Sequence, residues 1–148
     1  MIFVECRVKV PFALDRLEQA AQTALEHEGS GAADLTLVLA GDDQLRGLNR
    51  QYLGRDAVTD VLSFPADEAD PESGCRYLGD ILLSMPRAAA QAQAGGHPVE
   101  QEAQLLVVHG TLHLLGYDHG RKEEKERMWA VQAEILEQLG VPAGVVHG

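Results

Sequence analysis

Three histidines lie within eleven residues of one another, at positions His109, His113 and His119. His109 and His113 are four apart, so on an α-helix they lie about 40° apart around the axis and one turn apart along it. Both imidazoles can therefore reach a single metal ion. Gly116 stands where such a helix would end, because glycine adopts a positive φ without steric cost. After that turn, His119 can return to the same ion as a third nitrogen ligand.

Three nitrogen ligands on a tetrahedral ion leave one position for water, which is typical of catalytic rather than structural zinc. The sequence therefore predicts one zinc ion bound by His109, His113 and His119. Nickel, copper or iron would also accept such ligands. The alternative is an accidental cluster, since pairs of histidines four apart also arise by chance on helices. A third histidine beyond a helix-ending glycine is a much narrower pattern and favours the metal site.

The residue that follows His109 argues against one class of enzyme. The spacing of the three histidines equals that of the metzincin proteases, which carry a glutamate directly after the first histidine as general base. This chain has Gly110 there. A peptidase without its base would lose on the order of a hundredfold or more in rate. A zinc-bound water could still attack a substrate that the metal itself activates.

The size and charge of the chain limit the remaining possibilities. Its 148 residues, 45% hydrophobic and 24% charged, suit one globular domain over 1–148. The 12 basic and 23 acidic side chains give a formal net charge of −11. Proteins that bind nucleic acids usually carry more basic than acidic side chains, so the net charge argues against a broad nucleic-acid-binding surface. A local cationic cleft on an otherwise acidic protein remains compatible with it.

The chain shows no long apolar run and no charged leader with a cleavage site, which predicts a cytoplasmic protein without a membrane span. Cys6 and Cys75 lie in no Cys-x-x-Cys pattern and are expected to be reduced thiols.

Apolar periodicity and turn residues predict an α+β fold with about four strands in a mixed sheet covered by about five helices. Asp60 and Asp80 are expected to cap strand ends, although either could orient a ligand. Pro65 is expected to end the third strand, and 66–76 to form a solvated loop. The metal site would lie on a core helix and the turn after it. The predicted strands cover 1–10, 35–39, 58–64 and 78–84, and the predicted helices cover 13–27, 42–53, 87–94, 98–115 and 121–139.

Several blocks of the chain resemble the YbeY family, metal-dependent endoribonucleases of bacterial ribosomal RNA maturation. They are the histidine run 109–119, the run Thr-Asp-Val-Leu-Ser-Phe-Pro at 59–65, the run Leu-Gly-Asp-Ile at 78–81, and Leu48-Asn49 with Tyr52. The resemblance implies zinc on the three histidines and cleavage of single-stranded RNA. It also implies maturation of the 3′ end of the 16S rRNA and ribosome quality control, with the small ribosomal subunit or its proteins as partners.

Two further residues are candidates for catalysis. Many members of the family carry an arginine, thought to contact the RNA backbone, directly after the aromatic residue matching Tyr52, where this chain has Leu53. Arg55 could replace it from a different backbone position. Asp118 precedes the third histidine and could orient an imidazole or move protons, or it could simply form a turn.

The sequence is also compatible with two other functions. The protein could be a non-catalytic ribosome-assembly factor with a structural metal, which the acidic balance and the missing arginine favour. It could also be another metal-dependent hydrolase.

Overall fold

The computed structural model describes residues 1–54, 59–69, 71–72, 74–117 and 120–142. These residues form four strands and five helices. In chain order they are β1 (Ile2–Cys6), α1 (Asp15–His27), β2 (Asp34–Ala40), α2 (Asp42–Leu53), β3 (Val61–Ala69), β4 (Arg76–Ser84), α3 (Met85–Gly95), α4 (Val99–Leu114) and α5 (Lys122–Gln138).

The strands form one mixed sheet in the order β1-β2-β4-β3. β1 and β4 each run parallel to β2, whereas β3 runs antiparallel to β4. Val38 of β2 lies opposite Leu82 of β4, which in turn lies opposite Leu62 of β3. The predicted α+β fold with a mixed sheet is confirmed. Among the described helices, none is long and apolar enough to cross a membrane.

The two faces of the sheet are covered unequally. One face packs against α1, α3 and α4, with α5 packed on α1 and α4, and fully buried Leu37, Ile81 and Leu83 contribute to the main core there. The other face carries a small apolar cluster that includes Val38, and of the helices only α2 contributes to it, through Leu45. Alternation of side chains along the strands produces this division, because neighbouring residues point to opposite faces.

The prediction of a loop over 66–76 was wrong at both of its ends. β3 continues through Pro65 to Ala69, and β4 begins at Arg76. β3 is an edge strand, where a proline costs no ladder hydrogen bond on its open side. The pairing register with β4 shifts between Pro65 and Glu68. Gly79, paired with Pro65, has a φ of 135°, and a β carbon there would lie 2.1 Å from the carbonyl oxygen of Phe64. Only glycine permits this approach.

Two other expectations need correction. β1 ends at Cys6 rather than at residue 10, because its neighbour β2 ends at Ala40 and the last ladder bond runs from the Arg7 amide to the Leu39 carbonyl. Asp80 does not cap a strand end. It lies inside β4, opposite Thr36 of β2.

Candidate metal centre

The candidate site lies on α4, the central helix of the fold. α4 contacts α1, α3, α5 and both strands β3 and β4. Eleven of its sixteen residues are buried, among them Leu105, Val108 and Leu112. A helix that is apolar on most sides is stable only in the interior, which explains its place in the core. His109 and His113, on the C-terminal half of α4, are half-buried.

The imidazoles of His109 and His113 approach each other through their Nε2 atoms. The Nε2 atoms of His109 and His113 lie 3.1 Å apart, with ring centroids 4.7 Å apart and ring planes at 76°. Two nitrogens bound to one tetrahedral zinc lie about 3.3 Å apart, given Zn–N bonds of about 2.0–2.1 Å. The pair therefore has the spacing expected of two ligands that share one ion.

A third side chain reaches this pair from α5. Gln132 is buried, with 3% of its surface exposed, and its Oε1 lies 3.0 Å from Nδ1 of His109. The two residues are 23 positions apart in the chain. No periodicity in the sequence singles out this glutamine as a partner of the site.

Gly110 faces the sheet rather than the two histidines. A β carbon at this position would lie 2.7 Å from Cγ2 of Ile81, 3.3 Å from Oγ of Ser63 and 3.4 Å from Cγ2 of Val61. The Ser63 hydroxyl also donates a hydrogen bond of 3.1 Å to the Gly110 carbonyl. The absence of a glutamate after His109 thus has a packing cause, because the approach of α4 to the sheet leaves no room for a side chain there.

The end of α4 follows the sequence prediction closely. The helix ends at Leu114, and Gly116 adopts a φ of 101°. The amide of Tyr117 then donates to the Leu112 carbonyl over 3.0 Å, which satisfies one of the free carbonyls at the helix end. The chain therefore turns back sharply just before residues 118 and 119.

Tyr117 is held in place by a chain of polar contacts. Its hydroxyl donates to one carboxylate oxygen of Glu28, the other oxygen lies 2.8 Å from Nδ1 of His27, and Nε2 of His27 lies 3.0 Å from Glu134. The guanidinium of Arg127 lies 5.7 Å from the Tyr117 ring centroid. These contacts join the end of α1 to α5 and to the turn after α4. The sequence gives no signal for them, because the partners are distant along the chain.

The same contacts shift two pKa values. Its hydrogen bond to Glu28 raises the pKa of His27 above the ordinary 6.5, with Glu134 adding to the shift and burial opposing it. Both ring nitrogens face carboxylate oxygens, which can only accept, so the geometry favours the imidazolium form. The hydrogen bond to Glu28, followed by burial, raises the pKa of Tyr117.

The remaining candidate residues lie outside the described part of the chain. They are the third predicted ligand His119, and the predicted catalytic residues Asp118 and Arg55. Within the described residues, no group of three or more histidine, cysteine or acidic side chains is arranged to hold an ion. The structure thus brings together two of the three predicted ligands.

A separate cleft of about 1060 Å³ lies over the α2 face of the sheet, and neither histidine of the pair lines it. In its floor the Tyr77 hydroxyl donates to Asp80 and lies 2.6 Å from Oγ1 of Thr36. Burial, together with the hydrogen bond to Asp80, raises the pKa of Tyr77. Tyr52, 61% exposed, contacts Phe64 at the edge of this cleft with centroids 5.5 Å apart. Asp80 and Tyr52 therefore belong to this cleft and not to the histidine site.

Comparison with known proteins shows which family the chain is similar to. The family model described as Endoribonuclease YbeY matches residues 5–140. An Endoribonuclease YbeY of Pelotomaculum thermopropionicum is 46% identical over 129 residues, covering 84% of this chain and 85% of that protein. One of Persephonella marina is 42% identical over 124 residues, covering 83% and 81%. The solution structure of a Thermotoga maritima protein, 26% identical, superposes with a TM-score of 0.62 over 99% of this chain and 97% of that one.

Proposed function

Because the chain belongs to the YbeY family of endoribonucleases, we propose that it is a zinc-dependent enzyme that cleaves single-stranded RNA. We further propose that it acts in the cytoplasm on the 3′ end of the 16S rRNA and in ribosome quality control, in contact with the small ribosomal subunit. The observation that carries the metal part of this proposal is the convergence of the His109 and His113 Nε2 atoms at 3.1 Å.

The donor set fits a zinc ion. His109 and His113 offer two imidazole nitrogens at the spacing of shared ligands, and His119 is the proposed third. A bound zinc ion would supply Lewis acidity toward a phosphoryl oxygen and a lowered pKa for water. Because α4 is fixed on several sides by packing, the two histidines are held rigidly, as a precise site requires.

Two further residues, Asp118 and Arg55, are the proposed groups for proton transfer and for RNA binding. Gly110 offers no general base, so Asp118 is the proposed proton carrier or the residue that orients an imidazole. Arg55 is the proposed contact for an RNA phosphate, from a different backbone position than the arginine of many relatives. RNA also carries its own 2′-hydroxyl, which could serve as the nucleophile without a glutamate.

The proposal is tested by incubating the nuclease-free, zinc-loaded chain with unstructured RNA and with a duplex of the same sequence. We expect cleavage of the single strand only, and loss of cleavage in the His113→Ala variant, because two ligands hold zinc poorly. Unchanged cleavage by His113→Ala would identify a contaminating nuclease and overturn the proposal. Equal cleavage of the duplex would overturn the single-strand specificity.

A second candidate function is favoured by the formal net charge of −11. An acidic surface suits contacts with basic proteins better than contacts with RNA. The chain would then be a ribosome-assembly factor whose metal is structural. Ribosome co-sedimentation and rRNA maturation that survive the His113→Ala change would support this function, whereas loss of rRNA maturation with retained co-sedimentation would support the nuclease.

A further inference from the structure

Gln132 is a polar exception on the inner face of α5. The buried residues of that helix are Met128, Gln132, Ile135 and Leu136, so the glutamine lies among apolar neighbours. A buried amide destabilises the fold unless it is hydrogen-bonded. Its Oε1 lies 3.0 Å from Nδ1 of His109, which provides that bond.

This contact determines where His109 carries its proton. An amide oxygen can only accept a hydrogen bond, so Nδ1 of His109 must be the donor. A neutral imidazole with its hydrogen on Nδ1 has its lone pair on Nε2. Nε2 is the atom that lies 3.1 Å from His113. The glutamine thus leaves the lone pair of His109 on the side of the ring where the second histidine converges.

We propose that Gln132 is a positioning residue for the metal centre, holding His109 in the tautomer and ring orientation that present Nε2 to the ion. This inference rests on the proposed zinc site but not on RNA cleavage. Residues that hydrogen-bond the second ring nitrogen of a metal-bound histidine commonly contribute about 10- to 100-fold in metal affinity. Gln132 would do so without adding a negative charge to the centre.

The experiment compares four full-length proteins at about pH 8, where an unperturbed imidazole is neutral. They are the wild type, Gln132→Leu, Gln132→Glu and the control Gln138→Leu, which makes the same change at an exposed position of α5. Zinc affinity is measured by competition with a chelator. Nitrogen-15 NMR of the ring nitrogens identifies the His109 tautomer with and without zinc, and circular dichroism checks folding.

We expect Gln132→Leu to bind zinc about 10- to 100-fold more weakly and to lose the preference for hydrogen on Nδ1 of His109. Gln132→Glu retains an acceptor oxygen, so it should keep zinc affinity within a few-fold of wild type or increase it. Gln138→Leu should match wild type. The glutamate variant keeps the inference testable if the leucine variant fails to fold, because loss of affinity in Gln132→Glu would then overturn it.

Wild-type zinc affinity and tautomer in a folded Gln132→Leu variant would also overturn the positioning role. A wild-type chain that binds zinc as expected but cleaves no RNA would overturn the proposed activity and leave this inference standing. A wild-type chain that binds no zinc would overturn both.

Discussion

Gly110 of α4 lies so close to Ile81 of β4 that a β carbon on the glycine would come within 2.7 Å of the isoleucine Cγ2. Ile81 is fully buried and β-branched, so it cannot easily move aside. The contact sets the distance between the sheet and the helix that carries both histidines. Tight packing between helix and sheet and the absence of a glutamate base are therefore two results of the same glycine.

We expect Gly110→Ala to lower the free energy of unfolding by about 1–2 kcal/mol, because overpacking outweighs the gain in helix propensity. Gly47→Ala is the matched control. Gly47 lies inside α2, and among the described residues no atom outside its own stretch of helix lies within 4 Å of an added β carbon, so this change should stabilise the protein by up to about 1 kcal/mol. Urea unfolding of both variants measures the two effects. Equal changes of the same sign in the unfolding free energies of the two variants would contradict the proposed close packing at Gly110.

Removal of zinc should lower the melting temperature of the wild type, because a ligand that binds only the folded state stabilises it. At free zinc about 100-fold above its Kd, the stabilisation is about 2.7 kcal/mol. The His113→Ala variant should melt at nearly the same temperature with and without zinc. Scanning calorimetry before and after chelation provides the measurement. An unchanged wild-type melting temperature after verified metal removal would argue against the site.

His27 should make stability depend on pH in a defined direction. Its folded-state pKa is raised above 6.5 by Glu28 and Glu134, so its stabilisation is fully present below that value. The stabilisation is lost as the pH rises through the folded-state pKa. We therefore expect the difference in unfolding free energy between wild type and His27→Gln to shrink as the pH increases. Urea unfolding across this range measures it, and a constant difference would contradict the charged bridge.

Tyr117→Phe removes the hydroxyl that donates to Glu28 at the turn after α4. Loss of a hydrogen bond to a carboxylate should cost about 1–2 kcal/mol of stability. Tyr52→Phe is the control, because Tyr52 is 61% exposed and contacts Phe64 at the edge of the other cleft. Thermal unfolding should separate the two variants. If both lose the same stability, the contact with Glu28 contributes nothing specific.

The sequence predicted the parts of the fold that depend on local chemistry. Gly116 follows the end of α4 as expected, because the positive φ that commonly follows a helix is a local requirement. The periodicity of apolar residues likewise predicted every described helix to within a few positions. His109 and His113 came together because their spacing of four fits one helix turn.

What the sequence did not reveal depends on tertiary contacts. Pro65 reads as a strand end, and only its place on an edge strand shows why β3 continues. Asp80 reads as a cap, and only the pairing of β4 with β2 shows that it faces a cleft. Gln132 meets His109 across 23 residues, which no local pattern encodes.

The burial of α4 also has a kinetic consequence. A helix packed against three other helices and two strands should open rarely by itself, so the backbone amides in its middle should exchange with deuterium mainly when the whole molecule unfolds. The backbone that carries the two half-buried imidazoles would then stay fixed in the native state. A nucleic acid would therefore have to approach two anchor points on α4 whose backbone positions do not change.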